Sequence, residues 1–390
     1  MKQRNHTFDF LCGLCIIRMV VLHVFQVTGC AGYDWWHEVM EWSFYLMSFF
    51  FFKAGYFNKS VGGKTSEVIK DRSKRLLLPY LTCGLIGDVL FWTFHFLLEG
   101  EYTRNPVQFL WIHVYRVSDF YGNAPIWFLF SFYMMYVCAH FIDKWSHPRF
   151  GTKNRTDKGA LNADKTALNT GVATLGANGA QASAQGTDKI CLWARLGLGV
   201  MRKSRYIVLL FPLLSYWLYT KGNPLWMSLS NLPMGIFFFY LGHWWRELIA
   251  HFGRKRMFVV SAVMVAAFIV GNIWLHGEYT MHTNDFRGNP WGAIINTVLI
   301  VCGLSGLLLS LHLPRIPFVN YIGQHSMVFF VLHFPIIYTY RNIARLMHIG
   351  LRGSVADTLL ILAIVFAFCF FITPYFERTP WLSGRWPKKA

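Results

Sequence analysis

Long apolar runs recur along the whole chain and alternate with short polar stretches. The first covers residues 8–30, and the others lie at about 39–57, 76–98, 125–143, 206–220, 228–246, 257–276, 291–311, 321–340 and 354–374. A helix needs roughly 20 apolar residues to span a bilayer, and a spanning segment must satisfy its backbone groups internally. The pattern therefore predicts an all-α integral membrane protein with about ten transmembrane helices.

The composition agrees with this fold class. Of 390 residues, 54% are hydrophobic and 14% are charged, whereas a soluble domain carries about 25% charged residues. The formal net charge of +18 would suit nucleic acid, but the basic residues lie between the apolar runs. That placement is typical of a membrane protein that keeps its Lys and Arg on the cytoplasmic side, and we expect no nucleic-acid partner.

The distribution of basic residues also predicts the topology. With both termini in the cytoplasm, most of the 37 Lys and Arg residues fall on the inner side, and Arg341, Arg345 and Arg352 in the last outer loop are the exception. We predict a membrane domain over 1–377 and a basic cytoplasmic tail over 378–390. Residues 144–203 are predicted to form a flexible cytoplasmic loop within that domain, because their central stretch is rich in Ala, Gly, Asn and Thr.

The first apolar run carries ionisable residues that a simple anchor would avoid. Asp9, Arg18 and His23 lie within it, and each such group costs about 2.5–3.5 kcal/mol or more in hydrocarbon. At about 100° per residue, His23 shares a helix face with Asp9 and Cys12, whereas Arg18 points elsewhere. We expect the Asp9 face to meet a bundle interior or a wet cavity.

Four stretches of the chain resemble acyltransferase family 3, a family of membrane O-acetylases. The first run matches the family's spacing of Asp9 and His23, although Cys12 stands where the family has Arg or Lys. The other matches are the aromatic segment 50–57, the junction 72–80 with its Arg-x-x-Arg pattern, and residues 321–333. The last segment is similar to the sugar O-acetylase branch, which includes fucose 4-O-acetylase-like enzymes.

The resemblance implies an enzyme of the inner (plasma) membrane that modifies a polysaccharide. Such an enzyme moves an acetyl group from cytoplasmic acetyl-CoA, its donor substrate, to a sugar hydroxyl of a cell-envelope glycan or its lipid-linked precursor. Its partners would be acyl-CoA, that acceptor and membrane lipids. The resemblance also implies catalytic roles for His23 and Asp9, and contacts with the acceptor for His333 and Trp127.

The residues themselves support parts of this interpretation. Transfer to a hydroxyl needs a base within hydrogen-bond reach, and histidine is the usual one. His23 and His333 lie at similar predicted depths, although a buried histidine can also be a hydrogen-bonded core residue. The phosphates of CoA need cations and donors, and the inner ends of the helices offer Arg72, Lys74, Arg75, Gln324 and Ser326.

Lys53 is a candidate for the cation that Cys12 lacks. It lies as far inside the second run as Cys12 lies inside the first, and antiparallel neighbours would place the two at one depth. The alternative is a lysine that extends to the inner headgroups. Arg72, Lys74 and Arg75 can likewise act as topology determinants, and Gln324 and Ser326 as helix caps.

Two other functions remain open from the sequence. One is a transporter or flippase of a glycan precursor, in which the buried His and Asp move protons. The other is a relative that binds acyl-CoA without catalysis, because of Cys12. The eight scattered cysteines predict no disulfide framework, and no residue spacing predicts a metal site.

Overall fold

The computed structural model describes residues 5–58, 64–100, 120–146, 203–226, 229–311, 315–349 and 354–386. The chain divides into two compact units, one made of Met1–Ala139 with Val208–Ala390 and the other of His140–Ile207. The predicted loop 144–203 lies almost entirely outside the described residues. The regular elements in chain order are α1 (His6–Thr28), α2 (Asp34–Trp42), α3 (Leu46–Phe57), α4 (Thr65–Arg72), α5 (Leu78–Glu99), α6 (Trp127–Ser146), α7 (Phe211–Thr220), α8 (Leu232–Phe252), α9 (Arg254–Trp274), β1 (Gly277–Thr280), β2 (Asp285–Gly288), α10 (Pro290–Leu311), α11 (Pro317–Gln324), α12 (Ser326–Leu346), α13 (Val355–Arg378) and α14 (Pro380–Ser383).

The structure is that of a helical multi-pass membrane protein. Seven helical segments among the described residues are long and apolar enough to cross a membrane: 6–28, 65–99, 121–145, 254–274, 290–311, 326–346 and 355–378. Two shorter apolar helices, Leu46–Phe57 and Tyr206–Thr220, accompany them. The total of ten spans and the cytoplasmic location of both termini remain predictions.

Several predicted runs are divided or extended. The run at 39–57 is broken between α2 and α3, and the run at 321–340 is broken at His325 between α11 and α12. The third run continues back through a π-helical segment, Ser73–Leu77, to Thr65. No side chain among the described residues caps the start of α12, so the capping role left open for Gln324 and Ser326 is not seen there.

Capping residues set the ends of α1, the helix that carries the candidate base. The Asn5 side chain accepts hydrogen bonds from the backbone N–H groups of Thr7 and Phe8 at 3.0 and 3.3 Å, which satisfies donors that a helix start leaves unpaired. Gly29 ends the helix with φ 79°, a left-handed conformation that glycine adopts without a Cβ clash. These caps place His23 in the last two turns.

Glycines of the segments 50–57 and 321–333, which resemble acyltransferase family 3, allow close helix contacts. A Cβ on Gly323 of α11 would overlap the carbonyl oxygen of Asp9 in α1, and a Cβ on Gly55 of α3 would overlap that of Phe239 in α8. Small residues permit such close approach between membrane helices. The Gly-Tyr pair at the end of α3 and the Tyr-Ile-Gly segment of α11 therefore hold the bundle together at these points.

A β-hairpin that the apolar pattern did not predict connects α9 to α10. Its strands are antiparallel, with Tyr279 opposite Phe286 and Glu278 opposite Arg287. The Tyr279 hydroxyl donates to Asn284 Oδ1 at 3.0 Å, and Asn284 Nδ2 donates to the Ser215 carbonyl of α7 at 3.0 Å. Burial raises the pKa of Tyr279, so its hydroxyl remains a donor at neutral pH. These bonds fix the hairpin on the bundle.

The residues after α13 pack against the start of α5. Thr82 Oγ1 donates to the Trp381 carbonyl at 2.9 Å, and a Cβ on Gly384 would overlap the Lys74 carbonyl. Arg385 forms an ion pair with Glu377 at 2.9 Å. The described part of the predicted basic tail is therefore ordered against the helix ends that carry Lys74.

Candidate active site

Two cavities lie at opposite ends of α3. The first, the basic cavity, has a volume of about 570 Å³ and is lined by Lys53, Asn58, Arg72 and Ser326 among apolar side chains. The second, the histidine cavity, has a volume of about 660 Å³ and takes its polar lining from residues that include His23, Gln26, Arg18, Glu278 and His282. Met47 near the start of α3 lines the histidine cavity, and Phe57 at its end lines the basic cavity.

The basic cavity combines two cations with aromatic walls. The Arg72 guanidinium lies over the Tyr136 ring, 3.9 Å from its centroid, an orientation that cation–π attraction favours. Ser73, the first residue of the π-helical segment, donates its hydroxyl to Tyr133 Oη at 3.2 Å. The contact with Tyr136 holds the Arg72 side chain at the cavity, and the cations and rings together form a surface suited to a bulky ligand with anionic groups.

Lys53 reaches the position where the family pattern has a basic residue on α1. Its Nζ atom donates to Cys12 Sγ at 2.9 Å. Cys12 is fully buried and Lys53 is half-buried. The equal depth expected for the two residues is therefore confirmed, and the ammonium group does not extend away to the helix ends. Its role in binding a donor stays a prediction.

Three other residues expected at the donor lie outside the basic cavity. Arg75 is exposed and pairs with Asp71 Oδ1 at 2.9 Å, and the Lys74 ammonium lies 5.5 Å from the Trp386 ring. Gln324 ends α11 and does not line the cavity. Of the residues named for the donor, Lys53, Arg72 and Ser326 are the ones that the structure brings together.

His23 lies half-buried at the wall of the histidine cavity. Its Nδ1 atom is 3.1 Å from Gln26 Oε1. Because an amide oxygen accepts hydrogen bonds, this contact places the imidazole proton on Nδ1 and leaves the lone pair on Nε2. A neutral histidine in this tautomer can accept a proton from a hydroxyl in the cavity.

His333 of α12 lies beside His23. The two rings are 5.2 Å apart between centroids, and His333 is fully buried. Its Nδ1 atom donates to the backbone carbonyls of Phe329 and Phe330, at 3.0 and 2.8 Å. Its Nε2 atom has no hydrogen-bond partner among the described residues. A buried acceptor of this kind is costly unless a donor reaches it, but His333 is not among the residues that line the histidine cavity, so its contact with an acceptor stays a prediction.

Aromatic and polar side chains complete the histidine cavity. Trp127 lines it and stacks on the His282 ring, with centroids 4.8 Å apart and an angle of 20° between the planes. His282 follows β1, and Glu278 lies within it. Rings beside several hydrogen-bonding groups suit a ligand with apolar faces and many hydroxyls.

Arg18 also lines the histidine cavity, so the expectation that it points elsewhere is wrong. Its Nε atom donates to Ser43 Oγ at 3.1 Å, and its guanidinium reaches the cavity beside His23. The helix-face argument fails because a long arginine side chain can reach around the helix to a neighbouring face.

Asp9 lies far from this site. It is separated from His23 by 14 residues of one helix, which corresponds to about 21 Å along the axis. It is buried in the first turn of α1. The structure therefore does not bring the two predicted catalytic residues together, and a contact of Asp9 with a hydroxyl at His23 is excluded.

Phe330 lies between the two cavities and lines both. It is buried, and its ring is 5.2 Å from that of Phe128, which lines the basic cavity. His333 follows one turn later on α12. The path from the basic cavity to the candidate base therefore passes this side chain.

Sequence reasoning missed several of these residues. Gln26 lies three positions after His23, which is a contact distance on a helix, so its position could have indicated the pair. Glu278 and His282 lie in a segment without helical periodicity, and Phe330 is one phenylalanine among the 36 of the chain. Nothing in the pattern distinguishes these three from ordinary loop and core residues.

Comparison with known families decides the class. A family model described as an acyltransferase domain, Acyl_transf_3, matches residues 5–374. The chain belongs to acyltransferase family 3. No curated protein and no solved structure gives a significant match. This member of acyltransferase family 3 is thus a multi-pass membrane acyltransferase with two cavities that meet at Phe330.

The contact between His23 Nδ1 and Gln26 Oε1 leads to a prediction for Gln26. Replacing it by leucine removes the acceptor that holds the His23 proton on Nδ1, and one such hydrogen bond contributes about 0.5–1.5 kcal/mol. We expect Gln26→Leu to lower kcat by up to about tenfold with little change in KM. Gln26→Glu, which keeps an oxygen at this position, should retain more activity. Equal loss in both variants would contradict the orienting role.

Proposed function

We propose that this protein is an O-acetyltransferase that moves an acetyl group from acetyl-CoA to a sugar hydroxyl of a cell-envelope glycan or its lipid-linked precursor. The observation that carries the proposal is the shared wall at Phe330, because only this wall separates a cavity with two cations from a cavity with a candidate base. The acyltransferase family supports the reaction class, and the resemblance to the sugar O-acetylase branch supports acetyl and sugar. The inner membrane is the proposed location.

The donor is assigned to the basic cavity. The phosphates of CoA are anionic, and Lys53 and Arg72 offer two cations at the cavity, with Ser326 as a further hydrogen-bond donor. The apolar walls suit the less polar parts of the same molecule. With the predicted topology, this cavity faces the cytoplasm, the compartment that holds acyl-CoA.

The acceptor is assigned to the histidine cavity. His23 Nε2 takes the proton of the acceptor hydroxyl while the hydroxyl oxygen attacks the thioester carbonyl carbon. The new C–O bond forms as the C–S bond breaks, and the CoA thiolate leaves and is protonated by solvent. The imidazolium then returns its proton to solvent. Trp127 contacts the acceptor through its ring in this arrangement, and a contact with His333 Nε2 requires the acceptor to enter beyond the present wall of the cavity.

The experiment measures both products of the reaction. Purified full-length protein in nanodiscs receives acetyl-CoA with a mixture of envelope sugars, and free CoA and acetyl ester are quantified together. We expect equal amounts of both, and an amount of each lower by about 10²–10⁴ from a His23→Ala variant. A transporter or a protein that binds acyl-CoA without catalysis would release no CoA under these conditions, and that result would refute the proposal.

The position of Lys53 predicts an effect on donor binding. Lys53→Met removes a half-buried cation from the basic cavity, where charge is screened less than at an exposed surface. We expect KM for acetyl-CoA to rise by about tenfold, as for loss of one charge-assisted hydrogen bond, with a smaller change in kcat. Lys53→Arg is the matched control, because it keeps the charge and should keep most of the affinity. An unchanged KM in Lys53→Met would remove Lys53 from the donor site.

A further inference from the structure

A third cavity lies at the C-terminal ends of α5 and α12. Its volume is about 500 Å³, and its walls include the rings of Phe91, Tyr121 and Tyr338 together with Glu99, Arg341 and Arg345. The Phe91 ring stacks on Tyr121, with centroids 4.8 Å apart, and lies 6.0 Å from that of Tyr338. We refer to it below as the aromatic–arginine cavity. It belongs to neither the donor nor the acceptor site described above.

The two arginines of this cavity form no ion pair with any of the described residues. Arg341 and Arg345 are four residues apart, so their side chains leave α12 on one face. Both are exposed, and among the described residues neither forms an ion pair or hydrogen bond with a carboxylate. One carboxylate, Glu99, also lines the cavity, and its Oε2 atom lies 3.3 Å from His95 Nε2 rather than on either arginine. Two guanidinium groups therefore face the cavity with their donors available.

The same arginines are the exception to the charge distribution of the chain. In the predicted topology they lie on the outer side, where Lys and Arg are scarce, so they do not serve as topology determinants. Guanidinium groups bind phosphate through paired N–H donors. Binding of an anion would account for the two arginines at the C-terminal end of α12.

The surroundings of the cavity favour a ligand that is embedded in the membrane. Leu97 on α5 and Ile343 on α12 flank it and are 55% and 44% exposed, although both belong to membrane-spanning helices. Apolar side chains exposed on such helices face lipid, and the head groups of a bilayer lie at the helix ends, where the two arginines stand. An anion with an apolar tail fits a site with rings, two cations and a lipid-facing rim.

The cavity is also close to the histidine cavity along the chain. Tyr121 lines the aromatic–arginine cavity, and Pro125, four residues later, lines the histidine cavity. The backbone N–H of Tyr121 donates to Asp88 Oδ1 at 3.0 Å, which fixes this short wall. Only three residues, 122–124, separate these two lining positions along the chain.

We propose that the aromatic–arginine cavity binds the phosphate group of an anionic lipid, with the guanidinium groups of Arg341 and Arg345 as donors. Two sources supply this chemistry: an ordinary anionic phospholipid, or a lipid-linked sugar whose phosphate rests here while its sugar enters the histidine cavity. The binding itself does not depend on the proposed reaction, since it requires neither acetyl-CoA nor a transferred group.

The test is a binding titration on purified full-length protein in detergent micelles, read by native mass spectrometry. The probes are phosphatidylglycerol, a polyprenyl phosphate and, as a zwitterionic comparison, phosphatidylcholine. We expect the wild-type protein to bind at least one of the two anionic lipids more tightly than phosphatidylcholine. The double variant Arg341→Gln/Arg345→Gln should bind that lipid at least about tenfold more weakly, as for loss of charge-assisted hydrogen bonds.

A matched control separates this site from a general effect of net charge. Lys255 and Arg256 are exposed basic residues of α9 that line none of the three cavities, and Lys255→Gln/Arg256→Gln removes the same charge. Unchanged binding in the control variant supports the site. The lipid that the wild-type protein prefers, polyprenyl phosphate or phosphatidylglycerol, then identifies the source of the bound phosphate group. Equal affinities in the two double variants, or no preference of the wild type for either anionic lipid, would overturn the proposal.

Discussion

Replacing His23 by alanine is expected to lower the rate of acyl transfer by about 10²–10⁴ while the protein still accumulates in the membrane. The variant lacks the Nε2 lone pair that the contact of Nδ1 with Gln26, at 3.1 Å, leaves available in the histidine cavity. Because the loss concerns the transition state rather than ground-state binding, kcat should fall much more than KM for acetyl-CoA rises. The measurement is steady-state ester formation by purified variants with equal thermal stability.

A second histidine substitution serves as the control. His251 is exposed in the last turn of α8 and lines neither candidate cavity, so His251→Ala should leave kcat unchanged. His333→Ala tests which of the two adjacent imidazoles acts as the base. Full activity of His23→Ala together with a loss of about 10² or more in His333→Ala would transfer the role of base to His333.

The second large effect is expected at Phe330, the residue that lines both cavities. Phe330→Ala removes the side chain that separates donor from acceptor, so the reacting groups lose their fixed positions and water gains access between them. A misplacement of about 1 Å can cost about 10²-fold, and we expect ester formation to fall by that order. Release of free CoA should fall less, because water then competes with the sugar hydroxyl.

Phe329 provides the matched control for Phe330. It is fully buried on the same helix and packs on Phe370, with ring centroids 5.4 Å apart, but it lines neither cavity. Phe→Ala in a core costs about 3–5 kcal/mol at either position, so both variants carry a similar stability loss. If Phe329→Ala changes the ratio of free CoA to ester as much as Phe330→Ala does, the effect is general packing and not the boundary between cavities.

The parts of the site that the sequence predicted depend on local rules, which apply to single residues and single helices. Intramembrane ionisable residues are costly, so Asp9, His23 and Lys53 could be singled out before any contact was known. Helix geometry then placed Cys12 and Lys53 at one depth, and the structure has their Nζ and Sγ atoms 2.9 Å apart. The same reasoning could not establish that Lys74 and Arg75 leave the basic cavity, because the packing of Gly384 and Trp386 near Lys74 comes from the far end of the chain.

Other parts could not be predicted, because side-chain length and irregular backbone decide them. The face rule excluded Arg18, yet its guanidinium enters the histidine cavity and its Nε donates to Ser43. The hairpin that carries Glu278 and His282 is held by Asn284, Ser215 and Tyr279. Such bonds join segments that are distant in sequence, and the periodic pattern of apolar residues does not predict them.

The sequence alone determined that this chain lies in the membrane as helices and that it resembles an acyltransferase, since both follow from local composition and from motifs at fixed spacing. Tertiary structure decided which residues form a site. The glycine contacts of α1 with α11 and of α3 with α8 set the helix positions, and those positions bring His333 of α12 to His23 of α1. The physical reason is that a helix specifies its own faces, whereas the partner of each face is selected by close packing along its entire length.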